Sequence, residues 1–158
     1  MVDSAAFIRA AEPGDAPALA ELLGRVGWWE AVARDPEQAR RHILAQIELC
    51  RSDPQHLLWV YAREDRLRAY LSMHFRPYLF MLGQEAYLAE LFVHPDHRGE
   101  GIGSRMLAAA QDEARRRGCT RMMLVTKRRR QSYQRGFYRK HGWQERPQVA
   151  NFVLPLKD

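Results

Sequence analysis

A short glycine-rich stretch in the second half of the chain strongly limits the folds available to it. The stretch is Arg98-Gly99-Glu100-Gly101-Ile102-Gly103, and it follows an apolar, strand-like run that ends at Val93. Glycines at alternate positions let a ligand approach the backbone closely. A helical pattern begins directly after the turn, so unpaired N–H groups and the positive end of a helix dipole meet there. The stretch therefore predicts a strand–turn–helix unit that binds phosphate.

The rest of the chain alternates between strand-like and helical patterns. Asp35-Pro36 is typical of a helix start, and a helical stretch covers Gln131–His141. We expect the segment from Trp143 and the segment 150–156 to form two short closing strands. The resulting order, β-α-α-β-β-β-α-β-α-β-β, predicts an α/β fold (α+β, with a mixed central sheet flanked by helices) in one domain over residues 1–158.

Composition narrows the class of protein. No apolar run reaches the roughly 18 residues of a membrane span, and Met1-Val2-Asp3-Ser4 lacks the features of a signal peptide. Cys50 and Cys119 have no Cys-x-x-Cys spacing, so we expect a cytoplasmic protein with reduced thiols. His94 and His97 flank a turn without a Cys or acidic cluster to complete a metal site, so no metal is expected.

The net charge of +6 is unevenly distributed along the chain. Residues 98–146 contain fourteen Lys and Arg against four Asp and Glu, whereas residues 1–97 contain ten against fourteen. We expect a polyanion to prefer the basic part and a cation the acidic part. The alternative is a pair of solvated faces that bind no ligand.

Three features together give the chain a resemblance to the GNAT superfamily of N-acetyltransferases. The turn Arg98–Gly103 is similar to the family's Arg/Gln-x-x-Gly-x-Gly/Ala turn after the fourth strand. Phe137-Tyr138-Arg139-Lys140-His141-Gly142-Trp143 resembles the family's Phe-Tyr-x-x-x-Gly-Phe segment. The predicted element order agrees from Phe7 to Leu156. The resemblance implies an enzyme with a GNAT-like fold that transfers the acetyl group of acetyl-CoA to a primary amine.

The resemblance also implies where acetyl-CoA binds. In the family the pyrophosphate lies on the N–H groups of the glycine turn, and the pantetheine arm lies between splayed fourth and fifth strands. Gln131 stands seven residues before Tyr138, where family members often have Asn, and it retains the amide. The implied cofactor-binding residues are Leu91, Phe92, Val93, Arg98, Gly99, Glu100, Gly101, Ile102, Gly103, Ser104 and Gln131.

Tyr138 is the first candidate catalytic residue, because it takes the place of the family tyrosine that protonates the CoA sulfur. A phenol with a pKa of about 10 can donate a proton to a thiolate at neutral pH. The alternative is a core tyrosine whose hydroxyl has a protein partner.

Glu90 is the second candidate catalytic residue. It interrupts the apolar run Tyr87–Val93, where a carboxylate costs free energy unless it has a partner. Simple alternation places it on the same face as Leu88 and Phe92. Glu90 is either the base for the acceptor amine, acting directly or through water, or half of a structural ion pair with an arginine.

The acceptor is less well defined by the sequence. The acidic first half favours a cationic amine, such as a polyamine, an aminoglycoside, or a lysine or N-terminal amine of a protein. Tyr87 and His74 are further candidates to line its pocket. The apolar loop Arg76–Gly83, with Trp28-Trp29, predicts either an acceptor wall or a contact in a homodimer.

Two other functions compete with an acetyltransferase. The first is a sensor that binds acyl-CoA without turnover, against which the presence of both Glu90 and Tyr138 counts. The second is a nucleic-acid-binding module, suggested by Lys127-Arg128-Arg129-Arg130 and Arg115-Arg116-Arg117. The glycine turn counts against the second function, because a base-reading protein does not need it.

Overall fold

The computed structural model describes residues 6–27 and 34–156, and contacts within the chain divide it into two units, residues 1–124 and 125–158. The first unit contains a five-stranded sheet with its strands in chain order, antiparallel except for a parallel last pair. Its strands are β1 Phe7–Ala10, β2 His56–Arg63, β3 Arg66–Tyr78, β4 Gly83–Val93 and β5 Arg121–Met123. Its helices are α1 Ala16–Arg25, α2 Pro36–Ser52 and α3 Ile102–Arg116.

The two faces of the sheet bury different helices. On one face, which we call the α1–α2 face, Val60, Tyr70 and Phe92 pack with apolar side chains of both helices. The opposite face carries Leu71 and Met73, and α3 presents a row of fully buried side chains that includes Met106, Leu107 and Ala110. The predicted start of α2 is confirmed, because Asp35 accepts a hydrogen bond from the N–H of Gln38 at 2.9 Å. No described helix is long and apolar enough to cross a membrane.

A β-bulge interrupts the pairing of β3 with β4. Ser72 pairs with Glu90, but the next residue, Met73, pairs with Leu88. Ala89 is therefore an extra residue on β4. A bulge of this kind reverses the alternation of side chains on the strand that carries it.

The bulge corrects the predicted environment of Glu90. Cross-strand partners point to the same face, so Leu88 lies on the face of Met73, opposite Glu90. Tyr87 pairs with His74 and lies on the α1–α2 face together with Glu90. Tyr87 and Glu90, which simple alternation places on opposite faces, are thus brought to one face.

A fully buried carboxylate ties the last three strands together. Glu85 on β4 has no exposed side-chain surface, and it accepts hydrogen bonds from Arg76 Nη2 of β3 at 2.7 Å and from Arg121 Nε of β5 at 2.6 Å. The guanidinium of Arg76 also stacks over the Tyr87 ring, 4.1 Å from its centroid. The parallel β4–β5 pairing is therefore reinforced at its first register position, Glu85 with Arg121.

The second unit contains two single-turn helices, α4 Gln131–Gln134 and α5 Phe137–Lys140, instead of the one helix predicted over Gln131–His141. Gly136 separates them with a φ of +64°. This left-handed conformation ends one helical segment before the next begins. The loops around the helices are held by one carboxylate, that of Glu145, whose partners are Arg128, Tyr133 and Arg139.

The two predicted closing strands are absent from the described residues 143–156, which contain no strand. Phe152, Val153 and Leu154 are at least 79% exposed, so the apolar run of the second predicted strand is not buried. A strand needs both a ladder partner and a surface on which to bury one face, and Pro155 also lacks an N–H donor. The single domain over residues 1–158 stays a prediction.

Candidate active site

The glycine turn has the backbone geometry of an anion site. Gly99 and Gly101 have φ angles of +86° and +77°, and Gly101 caps α3. The first helical bond runs from the N–H of Arg105 to the Gly101 carbonyl at 3.1 Å. The N–H groups of Ile102 and Gly103 precede that bond and so have no helical acceptor. They point in the direction from which an anion approaches a helix.

The charged side chains of the turn are held by neighbours in the same unit. Arg98 Nε donates to the Val93 carbonyl at 3.4 Å. Glu100 contacts His97 Nδ1 at 3.0 Å and Arg68 Nη1 at 3.5 Å. The hydrogen bond from His97 is the main cause that lowers the pKa of the Glu100 carboxyl. Its negative charge is thereby partly balanced beside the anion site.

A gap opens along β4 next to the turn. Pairing with β5 ends at Tyr87 with Met123, while β4 continues to Val93. On the β3 side of the strand, the N–H of His94 donates to the carbonyl of Arg68 at 2.7 Å, so the backbone groups of residue 94 face β3. Since successive residues of a strand turn their N–H and C=O groups to opposite edges, Leu91 and Val93 direct theirs to the gap.

Phe92, by the same alternation, directs its backbone groups toward β3. Its ring packs against Tyr70 on the α1–α2 face, with the ring centroids 5.6 Å apart. Of the three β4 residues predicted to contact pantetheine, Leu91 and Val93 have the backbone orientation for it, whereas Phe92 offers its side chain to the cavity described next. A strand edge beside a helix N-terminus fits an extended ligand with an anionic end, as the CoA portion of acetyl-CoA is.

An open cavity of about 430 Å³ lies on the α1–α2 face of the sheet. Two helices and three strands contribute to it, and both the helices and the strands supply apolar as well as polar side chains. The residues that line it are Leu19, Leu23, His42, Ile43, Gln46, Cys50, Leu58, Tyr70, Ser72, His74, Glu90 and Phe92. The apolar walls and the few converging polar groups are typical of a site for a small organic ligand.

Glu90 is the carboxylate in that lining. Ser72 donates its hydroxyl to Oε2 at 2.6 Å, and Tyr70 donates to Oε1 at 3.2 Å. The predicted alternative, an ion pair with an arginine, is not found among the described residues; the partners are two hydroxyl groups. Tyr70, Ser72 and His74 occupy alternate positions of β3 and so share one face. In the sequence, polar residues at alternate positions of a mostly apolar strand are the signal that could have predicted this polar group.

A histidine pair that the sequence did not predict lies in the same region. His56 Nδ1 and His74 Nδ1 are 2.8 Å apart across β2 and β3, and the rings meet edge to face. Asp53 Oδ2 lies 3.6 Å from His56 Nε2. Burial is the largest cause of the lowered pKa of His74. His74 was predicted to line the pocket, and it does; its link to His56 and Asp53 is new.

Tyr138, in the second unit, is half-buried between aromatic neighbours. Its ring centroid lies 5.1 Å from that of Phe137 and 6.1 Å from that of Trp143. Burial raises the pKa of the phenol, so it carries its proton at neutral pH. In the described part of the chain its hydroxyl has no hydrogen-bond partner, unlike a structural core tyrosine. Gln131, the other predicted residue of this unit, is exposed at the start of α4.

The apolar loop Arg76–Gly83 does not line the cavity in the described structure. Leu79, Phe80 and Leu82 are 76–98% exposed. The loop therefore does not form a wall of the cavity. Its predicted contact in a homodimer stays a prediction. Trp28-Trp29, which we grouped with the loop, lies outside the described residues.

The arginine runs that suggest a nucleic-acid module are partly neutralised. Arg116 and Arg117 share Glu113, and Arg115 pairs with Asp112. In the second unit Arg128 pairs with Glu145. These contacts are internal to each unit and reduce the free positive charge that polyanion binding needs.

Comparisons with known proteins agree with the fold. The model of the acetyltransferase (GNAT) family matches residues 19–143. An aminoglycoside N(6')-acetyltransferase type 1 from Stenotrophomonas maltophilia is 31% identical, over 99% of this chain and 98% of that protein. Glucosamine-6-phosphate N-acetyltransferase from Arabidopsis thaliana has a TM-score of 0.76 at 21% identity, covering 97% of this chain and 99% of that one. An aminoglycoside N-acetyltransferase solved in complex with CoA has a TM-score of 0.73 at 18% identity, covering 96% and 95%.

The fold and the family match together define the class of this protein, an acetyltransferase. The chain belongs to the GNAT acetyltransferase family. The predicted fold class and the predicted enzyme class, acetyl-CoA-dependent amine N-acetyltransferase, are confirmed.

Proposed function

We propose that this protein transfers the acetyl group of acetyl-CoA directly to a primary amine of a cationic acceptor, with both substrates bound at once. The observation that carries the proposal is the construction of β4. Glu90 faces the cavity on one side of the sheet, while Leu91 and Val93, directly after it, turn their backbone groups to the gap at the strand edge. Adjacent residues of one strand thus contact the acceptor amine in the cavity and acetyl-CoA in the gap.

The donor half of the site consists mainly of backbone groups. The turn Arg98–Ser104 receives the pyrophosphate, Leu91 and Val93 bond the pantetheine arm, and Gln131 offers its amide to that arm. Bound acetyl-CoA supplies the activated acetyl group. The positive φ angles of Gly99 and Gly101 support this role, because they place N–H groups without side chains on the ligand side.

The acceptor half of the site is the cavity. Glu90, held by Tyr70 and Ser72, receives the ammonium group of the acceptor, and the aliphatic walls hold the rest of the molecule. A fixed carboxylate in a partly apolar setting attracts a cation more strongly than one in water. The similarity over the full length to an aminoglycoside acetyltransferase supports a cationic amine as the acceptor class.

Tyr138 is the proton donor for the leaving sulfur. Because burial raises its pKa, the phenol stays protonated until a thiolate forms. A donor poised in this way stabilises the charge that develops as the C–S bond breaks.

The experiment that tests the function is thiol release from acetyl-CoA in the presence of a panel of primary amines, with CoA binding measured separately. We expect release with at least one cationic amine, and the acetylated product by mass spectrometry. Firm CoA binding without release from any amine would indicate the sensor instead.

Gly101→Ala is expected to raise the Kd for CoA by about ten-fold or more, because a Cβ with φ of +77° strains the turn by about 1–2 kcal/mol and occupies the phosphate side. A Cβ at Gly101 meets no protein atom within 4 Å, so crowding inside the protein is not the cause. Isothermal titration with CoA measures the effect.

The matched control is Gly118→Ala, at the end of α3. Gly118 has a φ of +67° and equally open surroundings, so the backbone strain is similar. We expect a comparable loss of stability with no change in the Kd for CoA. An equal loss of affinity in both variants would contradict the assignment of the turn.

Glu90→Gln is expected to raise the KM for the amine by about five-fold, because the ammonium loses its ionic partner, while the exposure of Glu90 lets solvent screen the pair. The amide keeps the shape of the side chain and can still accept from the hydroxyl of Ser72. Steady-state kinetics with the best amine of the panel measure the effect. Glu48→Gln, on the exposed side of α2, is the control and should leave KM unchanged.

A further inference from the structure

The contacts of His74 form an ordered chain from a surface carboxylate to the cavity. Asp53 Oδ2 lies 3.6 Å from His56 Nε2, and His56 Nδ1 lies 2.8 Å from His74 Nδ1. His74 in turn lines the cavity that holds Glu90. The side chain of Asp53 is 42% exposed and that of His56 is 30% exposed, so the outer end of the chain reaches solvent.

The chain of contacts favours one arrangement of the protons. Two Nδ1 atoms at hydrogen-bond distance require that one carries a proton and the other accepts it. We assign the acceptor role to His56 Nδ1, because the carboxylate of Asp53, 3.6 Å from His56 Nε2, attracts a proton to that nitrogen. His74 Nδ1 is then the donor, and His74 Nε2 has a lone pair.

The Nε2 atom of His74 is the ring nitrogen left for the substrate. Nδ1 is at hydrogen-bond distance from His56 of β2, and the ring of His74 lines the cavity. The neighbouring strand β4 pairs its Tyr87 with His74 and contributes Glu90 to the same cavity. Burial lowers the pKa of His74, so the ring is neutral at pH 7 and able to accept a proton.

We propose that His74 Nε2 is the general base that deprotonates the acceptor amine, with Asp53 and His56 as positioning residues that set its tautomer. The inference rests on the proposed acetyl transfer and divides the work in the cavity: Glu90 binds the ammonium group, and His74 takes its proton. The negative charge of Asp53 also favours the imidazolium that forms on His74.

The proton balance is complete with these groups. An acceptor ammonium gives one proton to His74 Nε2, and the exposed lone pair forms the C–N bond to the acetyl carbon. The C–S bond breaks, and its electron pair leaves with sulfur. The nitrogen then loses a second proton, which accounts for the one that the thiolate takes up. His74 returns its proton to solvent.

The pH dependence of this base reflects several charged and titratable neighbours. Glu90 favours the imidazolium, whereas burial, His56 and Arg76 disfavour it. The groups around His74 from every packed element are Asp53, His56, Arg76, Glu90, Tyr70, Tyr87, His42 and Cys50. Together these effects lower the pKa of His74, so we expect the acid limb of the pH–rate profile to lie below pH 6.5, the ordinary pKa of histidine.

The first test is the pH profile of kcat/KM for the amine. His74→Gln is expected to lower kcat by about 100-fold or more and to remove the acid limb. Glu90→Gln is expected to keep the limb and move it to lower pH, since it removes a charge that favours the imidazolium. His42→Gln replaces another cavity histidine and should also keep the limb. A limb that persists in His74→Gln and disappears in Glu90→Gln would overturn the inference.

The second test does not depend on activity. Long-range ¹H–¹⁵N NMR spectra of the whole protein are expected to show His74 protonated on Nδ1 alone and His56 on Nε2 alone at pH 7. In the native protein the N–H of Gln55 donates to Asp53 Oδ1 at 2.8 Å. Asp53→Asn keeps a side-chain oxygen for that hydrogen bond and removes the negative charge of residue 53. It is expected to lower the pKa of His74 further and to lower kcat. The opposite tautomer of His74, or an unchanged titration and rate in Asp53→Asn, would contradict the inference.

The outcomes separate this inference from the proposed function. If no amine releases thiol from acetyl-CoA in the unaltered protein, the acetyl transfer itself is wrong. If the unaltered protein acetylates amines and His74→Gln does so equally well, only the role of His74 is wrong. Thermal melting of each variant establishes that it is folded before its rate is compared.

Discussion

Tyr138→Phe is expected to lower kcat by about 100-fold or more, the usual contribution of a positioned proton donor. Phenylalanine keeps the ring contacts with Phe137 and Trp143 and loses only the hydroxyl. The raised pKa of the buried phenol means that the proton is present throughout the neutral range. Steady-state thiol release gives kcat, and titration calorimetry gives the Kd for CoA, which we expect to remain within about two-fold because the other contacts to CoA are retained.

Tyr133→Phe is the matched control for this prediction. The same hydroxyl is removed five residues earlier in the same unit, where it donates to Glu145 at 2.9 Å. We expect a small loss of stability and little change in kcat. Equal falls of kcat in both variants would show that Tyr138 acts through the integrity of the unit and not as a proton donor.

Glu85→Gln is expected to lower the free energy of unfolding by about 3 kcal/mol, because it leaves two arginines without their shared carboxylate. Glu85 is fully buried, while Arg76 and Arg121 are each 38% exposed, so partial hydration of the guanidinium groups keeps the loss at the lower end of the usual range. Urea denaturation followed by circular dichroism measures it. The KM for acetyl-CoA should also rise, because this ion pair reinforces β4 and β5 where their pairing begins.

Glu113→Gln provides the comparison on a helix surface. Glu113 also binds two arginines, Arg116 and Arg117, and these contacts lower the pKa of its carboxyl to about 2. Arg116 is 69% exposed, so solvent screens the pair. We expect a loss of about 1 kcal/mol or less. A loss as large as that of Glu85→Gln would mean that burial is not what makes the Glu85 cluster important.

Local features of the site could be predicted from the sequence because neighbouring residues produce them. The turn at Gly99 and Gly101 and the start of α3 depend on φ angles and on a few adjacent residues. The same holds for the start of α2 at Asp35-Pro36. The motif around Tyr138 adds a resemblance that the family comparisons confirm for the fold and the enzyme class.

Features that depend on register or on distant partners could not be predicted in this way. A single extra residue at Ala89 moves Tyr87 to the face of Glu90, and no local pattern marks the bulge. The partners of Glu90 come from β3, and the contact between His56 and His74 exists only because two strands pair. The prediction of the two closing strands was wrong for a related reason, since an apolar run contains no information about a partner strand.

The sequence by itself determined the phosphate-type turn, the order of the elements up to β5 and the two candidate catalytic residues, because local dihedral preferences and hydrophobic periodicity encode them. Only the tertiary structure decided which side chains share the cavity with Glu90 and that His56 and His74 meet beside it. Those relations depend on strand register, and a shift of one residue in register turns a side chain to the opposite face of the sheet.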